Sequence, residues 1–284
     1  MDNSQTDRGA SQEFVMTLLA IFGRQHGRPL WSGGLVRLLN EAGYSTLAAR
    51  AALNRLVGRD LLERVRQGRL VSYDITPRCA ELLAEGDRRL FTLGDHTEWD
   101  GTWTTVWHAL PESQSLERNR LARRLRFLGF RPVQDSIWLS PNTRDREVHS
   151  VAVSIGVADQ IGVLVGTSPA DLPIDHLAER TWDVQGLCAQ YEQFAAEYAD
   201  SPPDTPNAPA TDKDAFLIRA RAAYDFRQFA FLDPEVPDRL LPNPSARRAA
   251  AEAFRRVMTE LERPARRHFD NVMSGSATSG NRRD

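Results

Sequence analysis

The stretch from Leu30 to Tyr73 constrains this chain most. Apolar residues recur at helical spacing through LVRLLNEA, which ends at Gly43. Tyr44, Ser45 and Thr46 then form a turn and a cap, and a second helix is expected from Leu47 to Arg59. A short apolar strand follows at Leu61 and Leu62. The segment ERVRQGRLVSYDIT then alternates around a Gln67-Gly68 turn, as a two-stranded hairpin does. Two helices joined by a tight turn and followed by a basic hairpin make a winged helix-turn-helix. Its second helix fits the DNA major groove while the wing lies on phosphate.

On a helical wheel, Ala49, Ala52, Leu53 and Leu56 share one face and pack inward. Leu47, Arg50, Ala51, Asn54 and Gly58 take the opposite face. Arg50 and Asn54 lie one turn apart. Arginine suits guanine O6 and N7, and asparagine suits adenine N6 and N7. Arg55 and Arg59 flank this face within reach of phosphate. Ser45 and Thr46 can cap the helix or bind phosphate at its N-terminus. Arg64, Arg66 and Arg69 on the wing are expected near phosphate or the minor groove. Each arginine taken alone fits a surface salt bridge equally well, with Asp60 and Glu63 as partners. The cluster is the stronger signal.

With 284 residues, the chain is expected to hold two or three domains. Its net charge is −2, yet Ser45 to Arg78 holds seven arginines against three carboxylates. A local basic patch on a near-neutral chain is the footprint of a compact DNA reader. Lys213 is the only lysine, which reads as codon bias. Cys79 and Cys188 lie far apart without a partner motif and suit a reducing cytoplasm. The N-terminus is polar with no apolar signal core, and the apolar run Phe14 to Phe22 is too short to span a bilayer. No phosphate-cradling glycine loop or cofactor motif is present. The six histidines (26, 96, 108, 149, 176, 268) show no ligand spacing, so no metal is expected.

The fold class expected is α+β and multidomain. A winged helix-turn-helix domain covers 12–92, with a buried helix from Phe14 to Phe22. A helix follows the wing, opened by Pro77, with Leu82, Leu83 and Leu90 inward. A ferredoxin-like domain covers 98–170. It has strands at Trp103–Leu110, Phe130–Val133, Ser136–Ser140 and Ile161–Gly166, and helices at Leu116–Leu128 and Glu147–Gly156 (where VHSVAVSI also fits a strand), in the order βαββαβ. A helical domain covers 174–273, serving dimerisation or an effector. It comprises one long amphipathic stretch from Ile174, a proline-rich loop from Ser201 to Ala210, a helix from Asp214 to Leu232 and a last helix from Ser245 to Asp270, interrupted or bent at Pro264. Residues 1–11 and 274–284 are expected to be disordered tails.

Several segments resemble the PaaX family of transcriptional repressors of phenylacetate catabolism. RAALNRL (Arg50 to Leu56) is close to the family's RxALxRL. Trp99-Asp100-Gly101-Thr102-Trp103 resembles WDGxW. Gly129-Phe130 with Ser136 to Pro141 resembles GF…VWVSP. Arg180 to Val184 resembles RxWDL. Phe231-Leu232-Asp233-Pro234 with Leu240-Leu241-Pro242 resembles FLDPxLPxxLLP. The resemblance implies a homodimer on a double-stranded DNA operator, released by an acyl-CoA, phenylacetyl-CoA in the founding case. The family's tryptophan after LLP is replaced here by Asn243-Pro244-Ser245, and the proline-rich loop is long.

Candidate effector residues are Arg123, on an arginine-rich helix, and Arg219, Tyr224 and Arg227 on one C-terminal helix. Ion pairs with Asp225, Asp233 or Glu235 are the alternative for the last group. The middle domain also resembles a CRISPR-associated nuclease fold, so a metal-dependent nuclease or other enzyme is the competing reading. Such nucleases need an aspartate at the end of the first strand. Here that strand ends His108-Ala109-Leu110, with no carboxylate before Glu112, so no catalytic residue is assigned. A winged-helix protein-interaction module is the third reading.

Overall fold

The computed structural model describes residues 3–67, 70–93, 99–171, 173–199, 211–233 and 235–275. Among the described residues the chain is helix-rich α+β with two small sheets. Its contacts divide it into two compact units. Unit one is Met1–Thr92, Phe194–Arg227 and Ala251–Asp284; unit two is Leu93–Gln193 and Gln228–Ala250. The expected C-terminal segment is therefore shared between the two units. Among the described residues no helix is long and apolar enough to cross a membrane.

Unit one opens with α1 (Asn3–Leu18), continued by a π-helical turn over Leu19–Gly23. The helix thus reaches back through residues expected to be disordered. Phe14, Val15 and Leu18 are buried and nucleate it, and extension into polar residues costs little once a helix exists. Then come β1 (Leu30–Trp31), α2 (Ser32–Glu41) and α3 (Thr46–Gly58). The hairpin β2 (Leu62–Gln67) and β3 (Leu70–Ile75) and helix α4 (Pro77–Thr92) follow. The sheet runs β1-β3-β2, all antiparallel. Strand β1 has only two residues and exists through its pairing with Tyr73 and Ser72. No alternation in sequence announces it.

Leu35, Leu38, Leu39, Ala49, Leu53 and Leu56 meet Phe14, Leu18 and Phe22 in one buried core. Each fully buried Leu or Phe contributes roughly 1.5–3 kcal/mol relative to exposure. In α4, Cys79 and Leu83 are buried but Leu82 is exposed, contrary to expectation. Cys79 and Leu83 are four residues apart and share a face, which turns Leu82 about 100° away. The Leu90 side chain lies outside the described residues.

In unit two the order is β4 (Thr102–His108), α5 (Ser115–Phe127), β5 (Arg131–Gln134), β6 (Ile137–Ser140), α6 (Asp145–Ile155) and β7 (Ile161–Thr167). The sheet runs β5-β6-β4-β7 with every neighbour antiparallel. Val106 and Trp138 on the sheet pack with Leu121 and Leu125 of α5 and with Val148 and Ala152 of α6.

The stretch from Ile174 is two helices, α7 (Asp175–Thr181) and α8 (Val184–Glu197), rather than one. Asp183 causes the break, because its Oδ1 accepts from Gly186 N at 2.9 Å and caps α8. Next come α9 (Asp212–Leu232), α10 (Pro244–Glu260) and α11 (Glu262–Ser274). Pro264 sits in the first turn of α11, where its missing N–H costs nothing. The proline-rich loop Ser201–Ala210 and the tail from Ser276 onward lie outside the described residues.

Candidate nucleic-acid interface

The turn between α2 and α3 fixes how α3 is presented. Gly43 has φ of +94° and closes α2. Tyr44 N donates to Leu39 O and Gly43 N to Asn40 O, both at 3.0 Å. This left-handed closure satisfies the last carbonyls of α2 and suits glycine. Ser45 then caps α3, its Oγ accepting from Ala48 N at 3.1 Å. Thr46 Oγ1 accepts from Asn40 Nδ2 at 3.1 Å, tying the two helices together.

The wheel expected for α3 holds. Ala49, Ala52, Leu53 and Leu56 are buried, while Arg50 and Asn54 are exposed. Leu47 is 80% exposed on the same face. Its place beside Arg50 and Asn54 was visible on the wheel, but its apolar side chain did not mark it as a candidate. An exposed leucine at the start of such a helix is an apolar contact suited to a thymine methyl.

In the hairpin, Leu62, Arg64 and Arg66 share one face, since side chains alternate along a strand. Leu62 is buried and the two arginines are exposed. Opposite them stand Ile75, Tyr73 and Val71. This face thus changes from apolar to basic as the hairpin leaves the core. Arg64 donates to Asn54 Oδ1, which joins the hairpin to the exposed face of α3.

Arg50, Arg59 and Arg66 are exposed, and their guanidinium groups make no hydrogen bond or ion pair among the described residues. Arg55 differs. It is half-buried, and its Nε donates to Gln12 Oε1 of α1 at 3.2 Å. Arg69 lies outside the described residues. The fold therefore brings Ser45, Thr46, Arg50, Asn54 and Arg64 together, with Arg59 and Arg66 beside them, and ties Arg55 to α1.

The four effector candidates divide between the units. Arg123 is exposed on α5 in unit two. Arg219 is buried on α9 in unit one, donating from Nε to Met258 O at 3.2 Å and lying 5.2 Å from the Phe22 ring centre. Burial, with Arg266 nearby and Glu262 opposing, lowers its pKa to about 10. Tyr224 packs on Phe14 at 5.5 Å. Arg227 is largely buried and faces the charges of Asp87 and Glu13. The acids weighed as partners are used elsewhere. Asp225 accepts from Tyr198 and Arg221, Asp233 from Tyr191 and Arg247, and Glu235 from Arg144.

Helix α11 packs against α2 in the same unit. His268 Nε2 lies 2.6 Å from Glu41 Oε2, and Arg37 donates to Glu41 Oε1 at 3.0 Å. Burial pushes the Glu41 carboxyl up, but His268 and Arg37 outweigh it and hold it below the usual range. Among the described residues no group of three or more His, Cys, Asp or Glu is placed to hold a metal ion.

Three family profiles cover the chain in succession. PaaX-like protein matches residues 10–79, the PaaX protein central Cas2-like domain matches 96–178, and the PaaX-like protein C-terminal domain matches 182–271. The chain belongs to the PaaX family. The members of that family are transcriptional regulators rather than enzymes. Among solved structures it is similar to the uncharacterized protein Rv0674 from Mycobacterium tuberculosis, with 20% identity and a TM-score of 0.55. The match covers 87% of this PaaX-family chain and 96% of that one. At that identity the likeness speaks for the fold alone. No curated protein matches the chain.

Proposed function

We propose that this PaaX-family chain is a sequence-specific DNA-binding regulator, acting in the cytoplasm as a dimeric repressor released by a small effector. The observation that carries the reading is the exposed face of α3. Leu47, Arg50 and Asn54 stand there together, joined through Arg64 to a hairpin with further arginines. We read residues 12–92 as a winged helix-turn-helix, with α3 entering the major groove and β2–β3 as the wing. Residues 98–170 read as ferredoxin-like. The strand order β5-β6-β4-β7 and the Cas2-like name of the matching profile support that reading. Residues 174–273 supply the remaining helices.

For the effector we propose an acyl-CoA, as the family resemblance implies. Arg123 suits its phosphates, because it is exposed within the arginine run of α5. Arg219 is committed to backbone carbonyls and serves the scaffold. Release requires the effector to bind the free conformation more tightly than the DNA-bound one.

Arg66→Ala tests the division of labour within the interface. A phosphate contact is blind to sequence, so binding to operator and to random DNA should fall together. The slope of log affinity against log salt should shrink by about one. Fluorescence anisotropy over a salt series measures both. A loss confined to the operator would overturn the phosphate role.

A further inference from the structure

Strand β1 parts early from β3. Among the described residues its register sets Leu30 opposite Tyr73 and Trp31 opposite Ser72, and goes no further. Pro29 would come next, opposite Asp74, but a proline has no N–H with which to continue a ladder. Gly27, with φ of +69°, turns the chain away. A cavity of about 240 Å³ opens where the two segments separate, between residues 23–30, the end of β3 and the start of α4. Pockets for drug-sized ligands run to roughly 300–1,000 Å³, so this one suits a smaller metabolite.

The lining has an apolar part and a charged part. Leu30, Ile75 and Ala80 make an apolar floor, with Tyr73 beside them. Arg24, Arg28 and Asp74 are exposed and bring charge to the opening. Arg24 is already engaged with Asp87 of α4. Arg28 and Asp74 are not engaged: among the described residues neither side chain makes a hydrogen bond or an ion pair, with the other or with anything else. Two opposite charges thus line one cavity without neutralising each other. That arrangement is complementary to a small molecule carrying both charges at one end and an apolar group at the other.

We infer that this cavity binds a free α-amino acid with an apolar side chain. Its carboxylate meets Arg28, its ammonium meets Asp74, and its side chain lies on Leu30, Ile75 and Ala80. An α-amino acid carries cation and anion on a single carbon, so it answers both charges at once. A simple carboxylate leaves Asp74 facing a like charge, and a simple amine does the same to Arg28. An occupant ties residues 23–30 to β3 and α4 and so stabilises unit one. The site lies wholly within unit one and needs neither DNA nor an acyl-CoA, so it stands apart from the function proposed above.

The test uses the full chain without DNA, titrated calorimetrically with L-leucine and with L-phenylalanine. At least one should bind saturably and raise the melting temperature. Isocaproate and isoamylamine each keep the leucine side chain and one of its two charges; hydrocinnamate and phenethylamine do the same for phenylalanine. Each should bind at least about fivefold more weakly than its amino acid. Arg28→Ala should erase the advantage over the amine, and Asp74→Asn the advantage over the acid. Ala80→Phe fills the floor and should abolish binding in a chain that circular dichroism shows to be folded. If that variant does not fold, the two charge variants decide, since both change exposed side chains. No saturable binding by the wild type, up to the solubility of both amino acids, would overturn the inference. So would single-charge analogues that bind as well as the amino acid, or binding that the folded variants leave unchanged.

Discussion

Arg50→Ala is expected to weaken operator binding by about 1–3 kcal/mol, roughly 5- to 150-fold in affinity, and to relax the base preference at one position per half-site. The size follows from the exposed place of Arg50 in the middle of α3, with no partner of its own among the described residues. Among the described residues nothing competes for its guanidinium, so the bidentate contact to a guanine is gained on binding. Folding should be nearly indifferent, because an exposed helical arginine replaced by alanine usually changes stability within about 0.5 kcal/mol. Titration against a panel of single-base operator variants, with a thermal melt as control, measures both effects. A folded variant with unchanged affinity and unchanged base preference would remove Arg50 from the readout.

The second large effect concerns stability. Asp233 is fully buried in unit two. Its Oδ2 accepts from Tyr191 Oη at 2.8 Å and lies 2.9 Å from the Arg247 guanidinium, while Oδ1 accepts from Val236 N at 3.0 Å. Arg247 also reaches Val236 O at 2.7 Å and Asp238 at 3.3 Å. Burial and the Asp233 charge both push the Tyr191 hydroxyl well above its ordinary value, so it remains a donor. Asp233→Ala leaves a buried cation and a buried hydroxyl without this acceptor. The expected loss is about 3–5 kcal/mol in unfolding free energy. Asp233→Asn keeps an acceptor oxygen and should lose less. Denaturant unfolding of the two variants beside the wild type gives the ranking. Equal, small losses for both would show that Arg247 is satisfied by Val236 and Asp238 alone.

Where sequence reading succeeded, periodicity carried the information. Helix α3 is legible because Ala49, Ala52, Leu53 and Leu56 repeat at helical spacing, and burial falls on those residues. The βαββαβ order was largely legible for the same reason, although VHSVAVSI fitted helix and strand alike and only the structure makes it α6. Periodicity says which face is buried but not what a polar side chain meets across the fold. Arg55 and Gln12 are 43 residues apart, and nothing in either segment announces their contact. Tyr191, Asp233 and Arg247 come from three separate segments, so the buried pair emerges only when the chain is folded. The sequence offers Arg219 acidic partners, but it donates to backbone carbonyls, which leave no trace in side-chain sequence. Strand β1 was missed because two residues cannot show alternation. The helix before Ser11 was missed because polar composition does not oppose extension of a helix already nucleated.

Helix α3 and its hairpin are proposed to read DNA sequence. The most direct measurement is selection of bound fragments from genomic DNA by the full chain, at near-physiological salt. Enrichment of a two-fold symmetric motif beside a promoter, with half-sites about one helical turn apart and lost in Arg50→Ala, is the expected result. Weak capture of all fragments alike by the folded wild type would contradict it.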